Sequence, residues 1–405
     1  MNNLQCRRER MKRISIILTV PLLLFCYTAV LGETRGVTKD TIIMGHITAD
    51  TGPVAKDAQA ISEGIRNYVS HLNEQGGIYG RKIKIISEDS GYSIPRALTA
   101  FKKLLSKDMV FTLFGPTSTG EATALFSQIQ KEKICTLQIS PGGHMFDPFK
   151  RYVFHYVLTY ENQVKILFDY ILSDMKAKNP KIAIVYPDVE AGKSGAREAR
   201  NQAKIFGVEL QEEVLNLNSL DASSQVLSMK RYKPDFVIVH NLIAQASLLL
   251  REARKLGFKT NFLGTLISTN SDTIALSKEA ARGFVGVHPF RSWYNDAPGV
   301  KKMRHITLKL CPGTEKPWRS EYYTLGWVNA MLFTEGMKKA GKDLTNENLV
   351  NAMESIKNFD AWGLSGPVTW GTNDREGSVS GILLKADVDN GIVVPISGWR
   401  EALPR

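Results

Sequence analysis

The chain has 405 residues, 43% of them hydrophobic and 23% charged, and a formal net charge of +12. That length leaves room for two or three domains, and the composition is that of an ordinary globular protein. Beyond residue 32 no Lys/Arg run exceeds two residues, so the charge reads as a solvated surface and argues against a nucleic-acid partner.

Residues 1–32 open with Arg7, Arg8, Arg10, Lys12 and Arg13. An apolar run over 14–31 follows, broken by Ser15, Thr19, Pro21 and Thr28, and ends in Val30-Leu31-Gly32. This is the layout of a secretory signal peptide and predicts export to the periplasm. Pro21 and the polar Glu33-Thr34-Arg35 favour cleavage over a retained anchor, and Met11 offers a second start. A lipid anchor at Cys26 would need a small residue where Phe25 stands. The segment holds five basic residues and Glu9, so its removal lowers the net charge from +12 to +8. Cys135 and Cys311 then remain, read as two free buried thiols with one disulfide as the alternative. No CxxC or HExxH occurs, so neither a metal nor a cofactor is expected.

The folded part opens with a strand over 41–47 and a loop over 48–53. An amphipathic helix over 57–75 places Ala60, Ile61, Ile65, Tyr68, Val69 and Leu72 on one face. Residues 76–80 stop it, and a strand follows over 82–87. Pro95 suits the first turn of a helix that runs to about residue 106. A buried strand over 111–114 ends at Gly115-Pro116. Ser118 then stands as an N-cap with Glu121 three residues on, the capping-box spacing, and the helix runs to about Lys133. A strand over 134–139 stops at Ser140-Pro141-Gly142-Gly143. This βαβαβαβ run predicts an α/β fold with a doubly wound parallel sheet. The turns at 116–119 and 140–144 leave the same ends of adjacent strands, the edge where open α/β sheets bind ligands. Hydroxyls and free helix N–H groups in the first suit an anion. Glycines in the second let backbone N–H groups come close. Together they read as half of a cleft for a small carboxylate; the plain alternative is a pair of ordinary capped βα loops.

The pattern then begins again. Residues 152–157 are extended and cross between domains, 161–175 are helical, 181–186 (KIAIVY) form a strand and 193–206 a helix. Strands over 208–215 and 236–240, a helix over 243–256, and short strands over 261–263 and 283–287 around a helix near 271–279 make a second α/β sheet. After residue 287 come helices over 298–310, 318–340 and 346–356, then strands over 366–370, 381–387 and 392–397. These are too few for a third domain. The helices are expected on the first lobe and the last strands on the second. The chain would pass between lobes near 158, 287 and 367. The lobes are then 33–158 plus 288–367, and 159–287 plus 368–405, joined by a hinge about which a cleft closes.

Several stretches resemble the leucine/isoleucine/valine-binding type of periplasmic solute-binding protein, the type I fold that serves ABC importers. They are TGPVA at 51–55, LNEQGGIYGRKIKIISEDS at 72–90, FGPTST at 114–119, ISPGGH at 139–144, KIAIVYPD at 181–188 and REARKLGFKTNFLG at 251–264. NEQGGIYGRKI is the most specific. The resemblance implies two lobes that close on a small ligand, a non-enzymatic role, permease subunits as partners and a monomer. It implies a ligand carboxylate held by Ser118 and Thr119 on one loop, and by Gly142 and His144 on another. A protonated His144 would strengthen an anion site. In the second lobe such proteins hold the ligand ammonium with an acid after the strand at 261–263, where this chain has Gly264-Thr265-Leu266-Ile267-Ser268. Where they place aromatics, this chain has Ala191 and Leu242. Leu242, Leu266 and Ile267 would make a more apolar wall. A neutral-tailed carboxylate therefore fits at least as well as an amino acid, because an ammonium buried without a counter-charge costs several kcal/mol.

Gly192-Lys193-Ser194 follows a strand, as a phosphate-binding loop does, but Pro187 stands where the motif needs its first glycine. Neither GxGxxG after a strand nor GxSxG occurs, which argues against dinucleotide and α/β-hydrolase chemistry. A ligand sensor built on the same two lobes remains the alternative to transport.

Overall fold

The computed structural model describes residues 34–143, 146–315 and 319–402. Two sheets organise them. The first is wholly parallel, in the order β2-β1-β3-β4-β5. Its strands are β1 (Thr41–Thr48), β2 (Lys82–Asp89), β3 (Thr112–Phe114), β4 (Thr136–Gln138) and β5 (Val153–His155). Three helices connect them: α1 (Ala55–Glu74), α2 (Ile94–Ser106) and α3 (Thr119–Glu132). The face expected from the 57–75 pattern is the buried one: Ile61, Ile65, Tyr68, Val69 and Leu72 are all in the core.

The chain then enters α4 (Tyr160–Asp169), continued by a π turn over Tyr170–Asp174. The second sheet takes β6 (Lys181–Tyr186), β7 (Glu209–Val214), β8 (Phe236–Val239), β9 (Asn261–Gly264) and β10 (Val285–His288) as parallel neighbours, in the order β10-β9-β8-β6-β7. Its helices are α5 (Glu190–Phe206), α6 (Ser223–Tyr232), α7 (Ile243–Lys255) and α8 (Ser271–Ser277). The sequence pattern gave no sign of α6, which buries only Val226 and Met229. Helix α5 begins before the expected residue 193, so Gly192-Lys193-Ser194 lies inside its first turns.

Helices α9 (Pro298–Leu310), α10 (Glu321–Ala340) and α11 (Asn346–Glu354) share the core of the first sheet. Glycines set how closely α10 crosses α1. A Cβ on Gly64 would lie 2.2 Å from the Tyr323 carbonyl oxygen, and one on Gly326 would lie 2.0 Å from that of Ile61. The hairpin β11 (Thr369–Gly371) with β12 (Asp374–Gly377) also stays with the first sheet. Trp370 is fully buried there, and its Nε1 donates to the His155 carbonyl at 2.7 Å. Only β13 (Ser380–Asp387) and β14 (Ile392–Glu401) join the second sheet, antiparallel at its β10 edge. The chain thus passes between the sheets after β5, after β10 and after β12. The third passage comes later than residue 367 because the hairpin is tied to β5 through Trp370.

Candidate functional site

In each sheet the strand order reverses once, and the loops at that point have no neighbouring crossover to cover them. In the first sheet the reversal lies between β1 and β3, in the second between β6 and β8. The loops leaving the carboxyl ends of these strands face one another across a cavity. Val54, Asp57 and Ile61 come from the start of α1, Tyr92 from beyond β2, Thr117 from beyond β3, and Ile139 and Pro141 from beyond β4. Tyr322 and Leu325 of α10 complete this side. The other side is Tyr160, Pro187, Val189, Ala191, Leu217, Leu242, Leu266 and Ile267. About 630 Å³ there is free of protein atoms, the open mouth included. The wall is mostly apolar, with a few hydroxyls and one carboxyl.

The residues singled out from the sequence take different places. Leu242 and Leu266 lie in the wall, and so do Ala191 and Ile267. The Leu266 N–H donates to Gln163 Oε1 at 2.9 Å, which fixes the loop after β9. Ser118 and Thr119 are buried just behind the wall. Ser118 Oγ accepts from the Glu121 N–H at 3.4 Å as the cap of α3, and the Thr119 hydroxyl hydrogen-bonds that of Ser140 at 2.5 Å. Their neighbour Thr117 is in the wall, and its hydroxyl has no partner among the described residues. Gly142 is buried next to the wall residue Pro141, whose carbonyl accepts from the Tyr160 N–H at 2.9 Å. His144 lies outside the described residues.

Sequence reasoning missed Thr117, Asp57 and the three tyrosines Tyr92, Tyr160 and Tyr322. The aromatics do not stand at the positions occupied by Ala191 and Leu242. They come from other elements, so no single stretch signalled them. His240, at the end of β8, supports the second wall from behind. Its Nε2 is 2.8 Å from the Ala191 carbonyl and its Nδ1 is 2.8 Å from Thr265 Oγ1, with Tyr160 edge-on at 4.7 Å. Burial pulls this imidazole down to about 4. It is therefore neutral at pH 7, with Nε2–H donating to Ala191 and Nδ1 accepting from Thr265.

Contacts across the cleft hold the two sides together. The Lys56 ammonium pairs with Asp272 at 2.5 Å, and Ser271 donates from Oγ to Glu321 Oε1 at 2.6 Å. At the hinge side the Gly143 N–H donates to Glu161 Oε2 at 3.0 Å, and Ser194 donates to the other oxygen of Glu161. Lys193 pairs with Asp188 at 2.8 Å. The Gly192-Lys193-Ser194 triplet is thus occupied with packing and ion pairing at the start of α5.

The periplasmic binding protein family matches residues 41–391. Among curated relatives, the leucine-specific-binding protein of Salmonella typhimurium is 23% identical over 357 residues, 87% of this chain and 91% of that protein. Among solved structures, the fatty acid ABC transporter substrate-binding protein from Thermomonospora curvata superposes with a TM-score of 0.82 at 25% identity, over 91% of this chain and 94% of that one. A branched chain amino acid ABC transporter protein from Thermus thermophilus with bound valine has the same TM-score at 22% identity, over 90% and 97%. The two-sheet architecture, the three passages between the sheets and a family match spanning nearly every described element agree: this chain belongs to the periplasmic binding protein family, in its leucine/isoleucine/valine-binding type.

Proposed function

We propose that the protein is the extracytoplasmic solute-binding component of an ABC importer of the branched-chain amino-acid type. It closes on one small amino acid or carboxylate and presents the closed form to its permease subunits. The observation that carries this reading is the cavity at which the strand-order reversals of both sheets meet, bridged by Lys56–Asp272 and Ser271–Glu321. A relative that binds leucine, a structural neighbour with bound valine and another named for fatty acids support a cleft whose ligand varies within one fold. Differential contact with open and closed states is all that such a role requires.

In this reading residues 1–32 are a cleaved export signal and the mature protein acts as a periplasmic monomer. No helix among the described residues is long and apolar enough to cross a membrane; in this reading the permease is a separate chain. The lobes divide at about 158, at 288 and beyond the β11–β12 hairpin. Thr117 forms the hydroxyl side of the site, backed by Ser118, Thr119 and Gly142, and Leu242 and Leu266 form its apolar side.

The test is thermal unfolding of the purified protein against branched-chain amino acids, their 2-keto acids, short fatty acids and aromatic acids. A true ligand at about 100 times its Kd adds about 2.7 kcal/mol, a rise of several degrees. Stabilisation by at least one, abolished when Leu242→Trp fills the cleft, is the expected result. Stabilisation that survives Leu242→Trp would place the ligand elsewhere.

A further inference from the structure

We infer that Asp57 is the counter-charge for an ammonium group on the ligand, so that the cleft selects amino acids over plain carboxylic acids. This rests on the cleft being the ligand site.

Asp57 is in the first turn of α1 and lies at a neck. It lines the deep cavity and also the outer one, which is bounded by Pro53, Lys56, Ala244, Asp272 and Leu276. Among the described residues of the deep cavity it alone carries a carboxyl or amino group. Its Oδ1 is buried and accepts no hydrogen bond from any described residue.

The neighbouring charges are already matched, and not by Asp57. Lys56 is paired with Asp272. Glu321 is fully buried and takes both the hydroxyl and the N–H of Ser271, at 2.6 and 3.3 Å. The neck therefore holds three carboxyl groups and one ammonium. A buried carboxylate oxygen without a donor is costly, and it either keeps a proton or takes a cation. Burial, with the fields of Asp272 and Glu321, pushes the Asp57 carboxyl up to about 8, as expected of a site that lacks its positive partner. A ligand ammonium supplies both the charge and the donor. Tyr322 and Tyr92 lie in the same wall. The loop after β9, Thr265 to Ser268, brings no acid, so Asp57 does this work from the opposite lobe.

The experiment is calorimetric titration of the purified protein with leucine, valine and alanine, and with the ammonium-free isosteres 4-methylpentanoate, 3-methylbutanoate and propanoate. Asp57→Asn and Leu242→Trp are compared with the wild type. In the wild type an amino acid should bind more tightly than its isostere. Asp57→Asn should weaken the amino acid by about thirtyfold or more, the effect of removing one member of a buried charge pair, and leave the isostere unchanged or tighter. An isostere that binds as well as its amino acid, or an amino acid indifferent to Asp57→Asn, overturns the inference and leaves the cleft reading intact. Binding that survives Leu242→Trp overturns the cleft reading and this inference with it.

A ligand-free measurement stands beside these. With Oδ1 unpartnered, Asp57→Asn should leave the melting temperature of the free protein at pH 8 unchanged or raise it. A fall of several degrees would show that Asp57 serves a structural partner, and would overturn the assignment even if none of the six probes bound.

Discussion

Ser271, at the start of α8, donates its hydroxyl to Glu321 of α10 at 2.6 Å, and its N–H reaches the same carboxyl at 3.3 Å. The two residues belong to helices on different sheets, so opening the cleft would break this bond. Glu321 is fully buried, which makes the bond worth more than a surface contact, about 1.5–3 kcal/mol for a charged acceptor. Ser271→Ala should therefore weaken ligand binding about tenfold or more without touching the cavity wall. It should also enlarge the radius of gyration of the free protein in small-angle scattering. Lys56→Ala removes a pair whose lysine is 72% exposed, and should change affinity by less than about 1 kcal/mol. Equal effects of the two substitutions would mean that closure does not rest on the buried bond.

Stability should fall on both sides of neutrality, for different reasons. His155, His240 and His288 are held down to about 4 by burial, and His46 to about 3. Their stabilisation is present above the unfolded value of 6.5 and is lost as pH falls from there towards 4, at up to about 1.4 kcal/mol per pH unit for each group. Asp57 and Glu376 are raised to about 8 and about 7, chiefly by burial. Their contribution is present below pH 4 and is lost as pH rises through 7 to 8. Urea unfolding from pH 4 to 9 should show both limbs. Asp57→Asn should flatten the alkaline limb, and so should a bound amino acid.

The α1–α10 crossing admits no side chain at Gly64 or Gly326, since a Cβ at either would lie within 2.2 Å of a backbone oxygen of the other helix. Gly64→Ala should cost about 1–3 kcal/mol in urea unfolding through the shift it forces, in spite of alanine's better helix propensity. Because α1 carries Asp57 and α10 carries Tyr322, the variant should also weaken ligand binding. A neutral or stabilising result would show that the helices are free to separate.

Trp370 ties the β11–β12 hairpin to β5 through its Nε1 bond to His155 and an edge-on contact with Phe154 at 5.4 Å. Trp370→Ala should cost about 3–5 kcal/mol. Trp370→Phe, which keeps most of the volume and loses the bond, should cost about 1 kcal/mol beyond the packing change. Similar losses for both would assign the role to the hydrogen bond and not to the ring.

Much of the fold follows from short-range pattern. Apolar runs of strand length, the 3.6-residue stripe of α1, the Ser118–Glu121 cap and the glycine stops each state their element locally. Helix α6 escaped because it buries one side lightly, with two residues and no strong stripe. The β11–β12 hairpin moved lobes because Trp370 is anchored by a residue more than two hundred positions away. Of the cavity wall, Leu242 and Leu266 were expected only through the family resemblance, which marks the loops that carry them. Thr117 could not be told from Ser118 and Thr119, because three adjacent hydroxyls point in directions set by the turn and not by composition. Asp57 reads in the sequence as an ordinary acid in the first turn of a helix, a position that normally faces water. Only the docking of α8 and α10 over that turn brings Asp272 and Glu321 to its side and takes its Oδ1 out of solvent. The sequence by itself thus determined the two lobes and the edges that face each other. The tertiary structure decided which groups stand buried and unpartnered between them, because desolvation and field depend on distances that no local pattern encodes.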